Sequence, residues 1–190
     1  MKELRRHMVF FRASGGGVTW SGGEAFFFPA NLRRLVKAAG ELGIRQAVET
    51  SCSFPWDEAE DIVRSLDFIF ADIKHMDNDI HRKYTGAGNG GILSNLARIG
   101  RTGVETVVRI PLVSGVNDDD ANIRATAAFV RENMAWRRIE LLPWHSLGRI
   151  KYEMLGMRES WRDFGAPSRE RIEELEQLIG EEGVEIVSYR

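Results

Sequence analysis

The stretch from Gly15 to Ala25, GGGVTWSGGEA, sets the reading of the chain. Five glycines in nine positions, Gly15, Gly16, Gly17, Gly22 and Gly23, enclose a short β-type core, Val18-Thr19-Trp20-Ser21. The stretch closes on one carboxylate, Glu24, before the aromatic run Phe26-Phe27-Phe28. Glycine costs conformational entropy, so such a cluster marks turns with positive φ or a place where a ligand approaches the main chain closely. A flexible surface loop is the competing reading. The common nucleotide loops do not fit: no Lys-Ser or Lys-Thr pair closes a phosphate loop, and no G-x-G-x-x-G opens a long helix.

The 190 residues suffice for one domain with a substantial core, spanning residues 1–190 without a composition shift. They are too few for a full eight-unit barrel of ~250 residues. Net charge is -2, with Lys and Arg scattered rather than clustered, so no basic field invites nucleic acid or anionic membrane. Cysteine occurs once, as Cys52, which excludes internal disulfides and fits a reducing cytoplasm. One cysteine does not hold an iron–sulfur cluster either. The N-terminal MKELRRHMVFF resembles neither a signal peptide nor a membrane span, and no apolar run approaches ~18 residues.

Strands of mostly apolar residues alternate with amphipathic helices at roughly 30 residues per unit, the pattern of βαβ crossovers and a parallel sheet. The expected strands are Val18–Ser21, Gln46–Val48, Phe68–Ala71, Thr106–Pro111, Ile139–Leu142 and Val184–Tyr189. A short helix or lead-in covers residues 1–13. Helices are expected from Asn31 to Gly43, from Pro55 past Leu66, around Ile92, Leu96 and Ile99, from Asp119 to Asn133, and from Ser168 to Gly183. Asp77 to Gly91 reads as a polar linker and Ser146 to Pro167 as a loop.

In parallel βα architectures a ligand sits beyond the carboxyl ends of the strands. Those ends carry Ser21-Gly22-Gly23-Glu24, Glu49-Thr50, Asp72 and Lys74, Arg109, and His145. Any one of these alone reads more readily as a cap or an ion pair than as a catalyst. Together they suit a zwitterionic or polar ligand: backbone around Gly22 and Gly23 for an amino-acid head group, Glu49 and Asp72 for hydroxyls or a shared cation, Lys74 and Arg109 for a carboxylate. His145 either hydrogen-bonds a ring or takes part in proton transfer, or is a packing residue.

The segments SGGGVTWSGGEA, AVETS, ADIKHMD, YTGAGN, VRIPLVSGVND and IELLPWHSLGRIKYEMLG resemble, in this order and spacing, the glycyl-radical enzyme activating proteins of the radical S-adenosylmethionine (SAM) superfamily, of the pyruvate formate-lyase activating type. The resemblance runs from about Ser14 to the C-terminus. It implies an α/β fold, a partial TIM-like (β/α)6 barrel, with SAM and a 4Fe-4S cluster as cofactors. The implied chemistry is reductive cleavage of SAM to a 5'-deoxyadenosyl radical that abstracts a glycine hydrogen from a partner glycyl-radical enzyme, with flavodoxin or ferredoxin as reductant. It further implies that Ser21, Gly22, Gly23 and Glu24 meet the amino group of SAM. Glu49, Thr50 and Asp72 would bind a monovalent cation or the ligand's polar end. Lys74 and Arg109 would lie near carboxylate and ribose, and His145 beside the adenosine.

The family's cluster cysteines form C-x-x-x-C-x-x-C upstream of the G-G-E block, whereas Cys52 lies downstream of it. The expectation is therefore a barrel whose first βα unit and cluster loop are missing, inactive alone and with an exposed, self-associating sheet edge. The alternative is a cysteine-free module that binds SAM or the partner without radical chemistry. A Schiff-base lysine of an aldolase-like enzyme, Lys74, is a third alternative, disfavoured by Asp72, which shares its face and would keep the amine charged.

Overall fold

The computed structural model describes residues 2–189. Six strands pair in parallel and in chain order: β1 (Gly17–Trp20), β2 (Arg45–Thr50), β3 (Phe68–Asp72), β4 (Glu105–Leu112), β5 (Arg138–Pro143) and β6 (Glu185–Ile186). Sequential order with right-handed crossovers sends the connecting helices to one face of the sheet. A flat sheet would hold β3 and β6 about 14 Å apart. Yet Tyr189, just beyond β6, sets its ring edge-on with centroids 5.4 Å from Phe68 and 5.5 Å from Phe70 of β3. The sheet therefore curls around its inner face, as a partial barrel does, with β1 and β6 as open edges.

Period-two alternation sorts the strand residues. Val48, Ile69, Ala71, Val108, Ile110 and Ile139 are buried on the helix side. Glu49, Phe70, Asp72 and Arg109 face the inside of the arc, where they contact one another. Gly17 has a steric reason to be glycine: a Cβ there would lie 1.9 Å from the Arg45 carbonyl oxygen of the neighbouring strand.

Helix α2 (Pro29–Gly40) starts earlier than expected, on a proline in its first turn, and buries Leu32, Val36 and Ala39. Helix α3 (Glu60–Val63) is one turn after a 3-10 turn at Trp56–Glu58, shorter than the helix expected from Pro55. Its apolar set, Ala59, Ile62, Val63 and Leu66, is buried all the same. The stretch read as a linker contains α4 (Asn78–Thr85), capped by Asp77, whose carboxylate accepts from Asp79 N and Ile80 N, and ended by Gly86 at φ 84. Helices α5 (Gly90–Gly100), α6 (Asp120–Asn133) and α8 (Arg169–Glu181) lie where expected, α8 with Ser168 as its cap. A short α7 (Arg149–Met154) interrupts the loop after β5, and β6 is shorter than the expected Val184–Tyr189. Among the described residues no helix is long and apolar enough to cross a membrane.

Helix α1 (Lys2–Ser14) buries no residue and leaves Val9 and Phe10 largely exposed. Among the described residues no strand pairs with the outer edge of β1. An unpaired parallel edge is a template for pairing with another chain. The expected outcome is concentration-dependent self-association in light scattering, reduced by Thr19→Lys, which places a charge on the exposed edge; a monodisperse monomer at all concentrations would contradict it.

Candidate functional site

Asp72 ends β3, and two residues on, Lys74 returns to the same face. Lys74 Nζ lies 3.3 Å from Asp72 Oδ2. Register pairs Asp72 with Arg109 of β4. The Arg109 guanidinium therefore donates from Nε to Asp72 Oδ1 at 3.2 Å and, reaching past β3, from Nη1 to Glu49 Oε1 on β2 at 2.9 Å. The Phe70 ring supports it from 4.9 Å. Two carboxylates at the mouth of a core would be costly alone, and two cations offset them. Burial by itself would lower the Arg109 pKa, but the Asp72 and Glu49 carboxylates overturn that, so the net shift is upward. Exposure separates the two cations: the Arg109 side chain is 14% exposed and that of Lys74 is 42% exposed. Arg109 is committed to protein partners, whereas Lys74 keeps ammonium donors free for a ligand.

Glu24 does different work. Its carboxylate accepts from Phe26 N at 3.1 Å, from Thr50 Oγ1 at 2.7 Å, and from both the backbone N and the hydroxyl of Ser51. It caps the 3-10 turn Ala25–Phe27 and straps the exit of β1 to the exit of β2. Ser21, Gly22 and Gly23 are exposed, Gly22 at φ 144, with no atom within 4 Å of where a Cβ would sit on either glycine. Their backbone is open to a ligand. Thr50 follows Glu49 in the strand and so points the other way: buried, its hydroxyl donates to Glu24 and accepts from Cys52 N. The structure thus brings Glu49, Asp72, Lys74 and Arg109 together and leaves the Thr50 side chain on the opposite face. Among the described residues no group of three or more His, Cys, Asp or Glu side chains is placed to hold a metal ion.

His145 is exposed and its ring makes no hydrogen bond among the described residues. With Pro111, Leu142, Pro143 and Trp144 it walls a hollow of about 650 Å3. A mainly apolar hollow of about 360 Å3 opens beside Lys74, between α4 and the turn after β4. Four asparagines to which the sequence gives no site role are buried beneath these exits: Asn89, Asn95, Asn117 and Asn122. Asn95, for one, donates from Nδ2 to the carbonyls of Cys52 and Phe54. Asn89, Asn117 and Asn122 stand in a turn or at a helix start and Asn95 in the middle of α5, so no shared sequence pattern marks them.

An iron–sulfur cluster takes several cysteine thiolates. The one cysteine, Cys52, is fully buried at φ 60 just after β2. Burial above all, then the Glu24 and Asp72 carboxylates, push its thiol well above the usual range. These residues do not fit a cluster.

Residues 1–127 match the Radical SAM superfamily. The (2S)-3-sulfopropanediol dehydratase activating enzyme of Klebsiella oxytoca is 38% identical over 159 residues, covering 83% of this chain and 50% of that protein. The pyruvate formate-lyase-activating enzyme of Clostridium pasteurianum is 35% identical over 181 residues, 95% of this chain and 76% of that protein. The crystal structure of a domain of pyruvate-formate lyase-activating enzyme from Bacteroides vulgatus superposes with a TM-score of 0.76 at 29% identity, covering 91% of this chain and 98% of that one. The chain spans half the length of the Klebsiella relative and about three quarters of the Clostridium one.

Glu24→Ala strips four hydrogen bonds from one carboxylate, so a loss of about 2–3 kcal/mol is expected in denaturant unfolding; an unchanged midpoint would rule out the strap. Cys52 should resist a thiol reagent at neutral pH in the folded chain and react only on denaturation; fast labelling of native protein would show the burial to be wrong.

Proposed function

The chain belongs to the radical SAM superfamily, and from that premise we propose that its inner-face charge cluster is the SAM site of a glycyl-radical enzyme activating enzyme. One observation carries this reading: Lys74, an ammonium half open to solvent, is held by Asp72 two strands away from the open backbone of Gly22 and Gly23. An amino acid presents a carboxylate and an ammonium group, and these two features offer partners for both. Lys74 takes the carboxylate. Ser21, Gly22 and Gly23 take the amino group through their main chain. Arg109 keeps Asp72 and Glu49 in place for hydroxyl groups, and the hollow under His145 and Trp144 receives the adenosine. A monovalent cation at Glu49 and Asp72 would compete with Arg109 for both carboxylates, and the Thr50 hydroxyl, committed to Glu24 on the opposite face, is no part of that site.

The names of the relatives support a glycyl-radical enzyme as the protein partner, a cytoplasmic setting fits the lone free thiol, and flavodoxin or ferredoxin is the reductant in this reading. The family chemistry, reductive cleavage of the SAM sulfonium followed by hydrogen-atom abstraction from a glycine, draws on a cluster whose thiolates these 190 residues do not hold. The role assigned to them is therefore binding and orientation. For the same reason a module that binds without radical chemistry is the second reading.

Isothermal titration of the chain with SAM tests the assignment. Saturable binding is expected, weakened roughly tenfold by Lys74→Ala through loss of one charge-assisted contact. Absence of binding by folded protein, or binding indifferent to Lys74, would overturn it. Incubation with SAM, iron, sulfide and dithionite should release no 5'-deoxyadenosine from the chain alone.

A further inference from the structure

We propose that Asn117, in the turn after β4, is a positioning residue that sets the Lys74 ammonium by clamping the backbone of the β3 exit to the end of β4. The last ladder bond of β3 runs from Ile73 N to the Arg109 carbonyl. Beyond it, side-chain amides take over. Asn117 Nδ2 donates to the Lys74 carbonyl at 2.9 Å and to the Pro111 carbonyl at 2.8 Å, while its Oδ1 accepts from Val113 N at 2.7 Å. One buried side chain, 2% exposed, thus uses two donors and an acceptor to stitch two strand ends where no ladder exists.

The clamp is itself held. Asn122 of α6 donates from Nδ2 to the Asn117 carbonyl and accepts Met76 N on Oδ1. Asn89 donates to the carbonyls of His75 and Met76. Three amides from three elements therefore fix residues 74–76. The Lys74 head group has one polar contact, to Asp72 at 3.3 Å, on a long flexible stem. Its position follows from its backbone more than from its side-chain partner. Aspartate could not replace Asn117, because it would lose both donors and bury a charge.

The inference deepens the SAM reading and rests on it for affinity alone. In a double-mutant cycle, Asn117→Ala should weaken SAM binding roughly tenfold in the unaltered chain and hardly at all when combined with Lys74→Ala. An equal loss in both backgrounds would mean that Asn117 acts on stability and not through Lys74. A second readout needs no ligand: amine-reactive labelling followed by mass spectrometry should show Lys74 labelled about threefold faster in Asn117→Ala, with Lys37 and Lys83 unchanged. Unchanged Lys74 labelling, or a uniform rise at all lysines, would overturn the proposal. Should Asn117→Ala fail to fold, Asn122→Ala should give a smaller rise of the same sign, and no rise there would overturn the proposal equally. Asn95→Ala, a comparable buried loss at the β2 exit, should leave Lys74 labelling unchanged. If the unaltered chain does not bind SAM, the functional reading falls and the labelling still decides the clamp.

Discussion

A parallel sheet satisfies its backbone along the strands and leaves it unpaired at their ends, yet the ends are where this molecule keeps its charged groups. The exits of β2 and β3 are short and partly buried, so water does not supply all the missing partners. Side chains do. The Glu24 carboxylate serves Ser51, the Asn95 amide serves Cys52 and Phe54, and Asn117, Asn122 and Asn89 serve residues 74–76. The ionic cluster of Glu49, Asp72, Lys74 and Arg109 stands on this amide and carboxylate framework. Of its four members, Glu49, Asp72 and Arg109 are placed by the sheet itself, and Lys74, beyond the end of β3, by the amides around residues 74–76.

Much of the architecture was readable because it rests on periodicity. Alternating strand and helix patterns predict the parallel sheet, and period two alone predicts that Asp72 and Lys74 share a face. The same rule separates Thr50 from Glu49, although a shared cation site had grouped them. Arg109 shows where the reading ends: its contact with Asp72 depends on interstrand register, and its reach to Glu49 on the curl of the sheet, neither of which a linear pattern carries. Helix α4 was hidden because it is short, polar and buries mainly His81, so its evidence lay in its caps, Asp77 and Gly86. The roles of the asparagines were hidden for a simpler reason. A single amide, in a turn or on a helix, has no periodicity, and its value lies wholly in what the fold brings opposite it.

Cys52 shows how packing decides the chemistry of a residue. A thiol at a strand exit beside two carboxylates is held in its neutral form, and its left-handed backbone at φ 60 costs about 1–2 kcal/mol that the surrounding packing offsets. The residue belongs to the core, packed with Val48 and Phe54. Being the one sulfur nucleophile in the sequence does not make it a ligand.

The unequal exposure of Arg109 and Lys74 also divides the cluster by its response to the medium. At physiological ionic strength, charges in water are screened over ~8 Å, while partly buried pairs feel the salt far less. Arg109, enclosed between Glu49, Asp72 and the Phe70 ring, therefore belongs to the salt-insensitive framework, and Lys74 to the screened exterior. Raising the ionic strength dims the attraction that draws an anionic group toward the mouth of the arc and leaves the arc's own geometry intact.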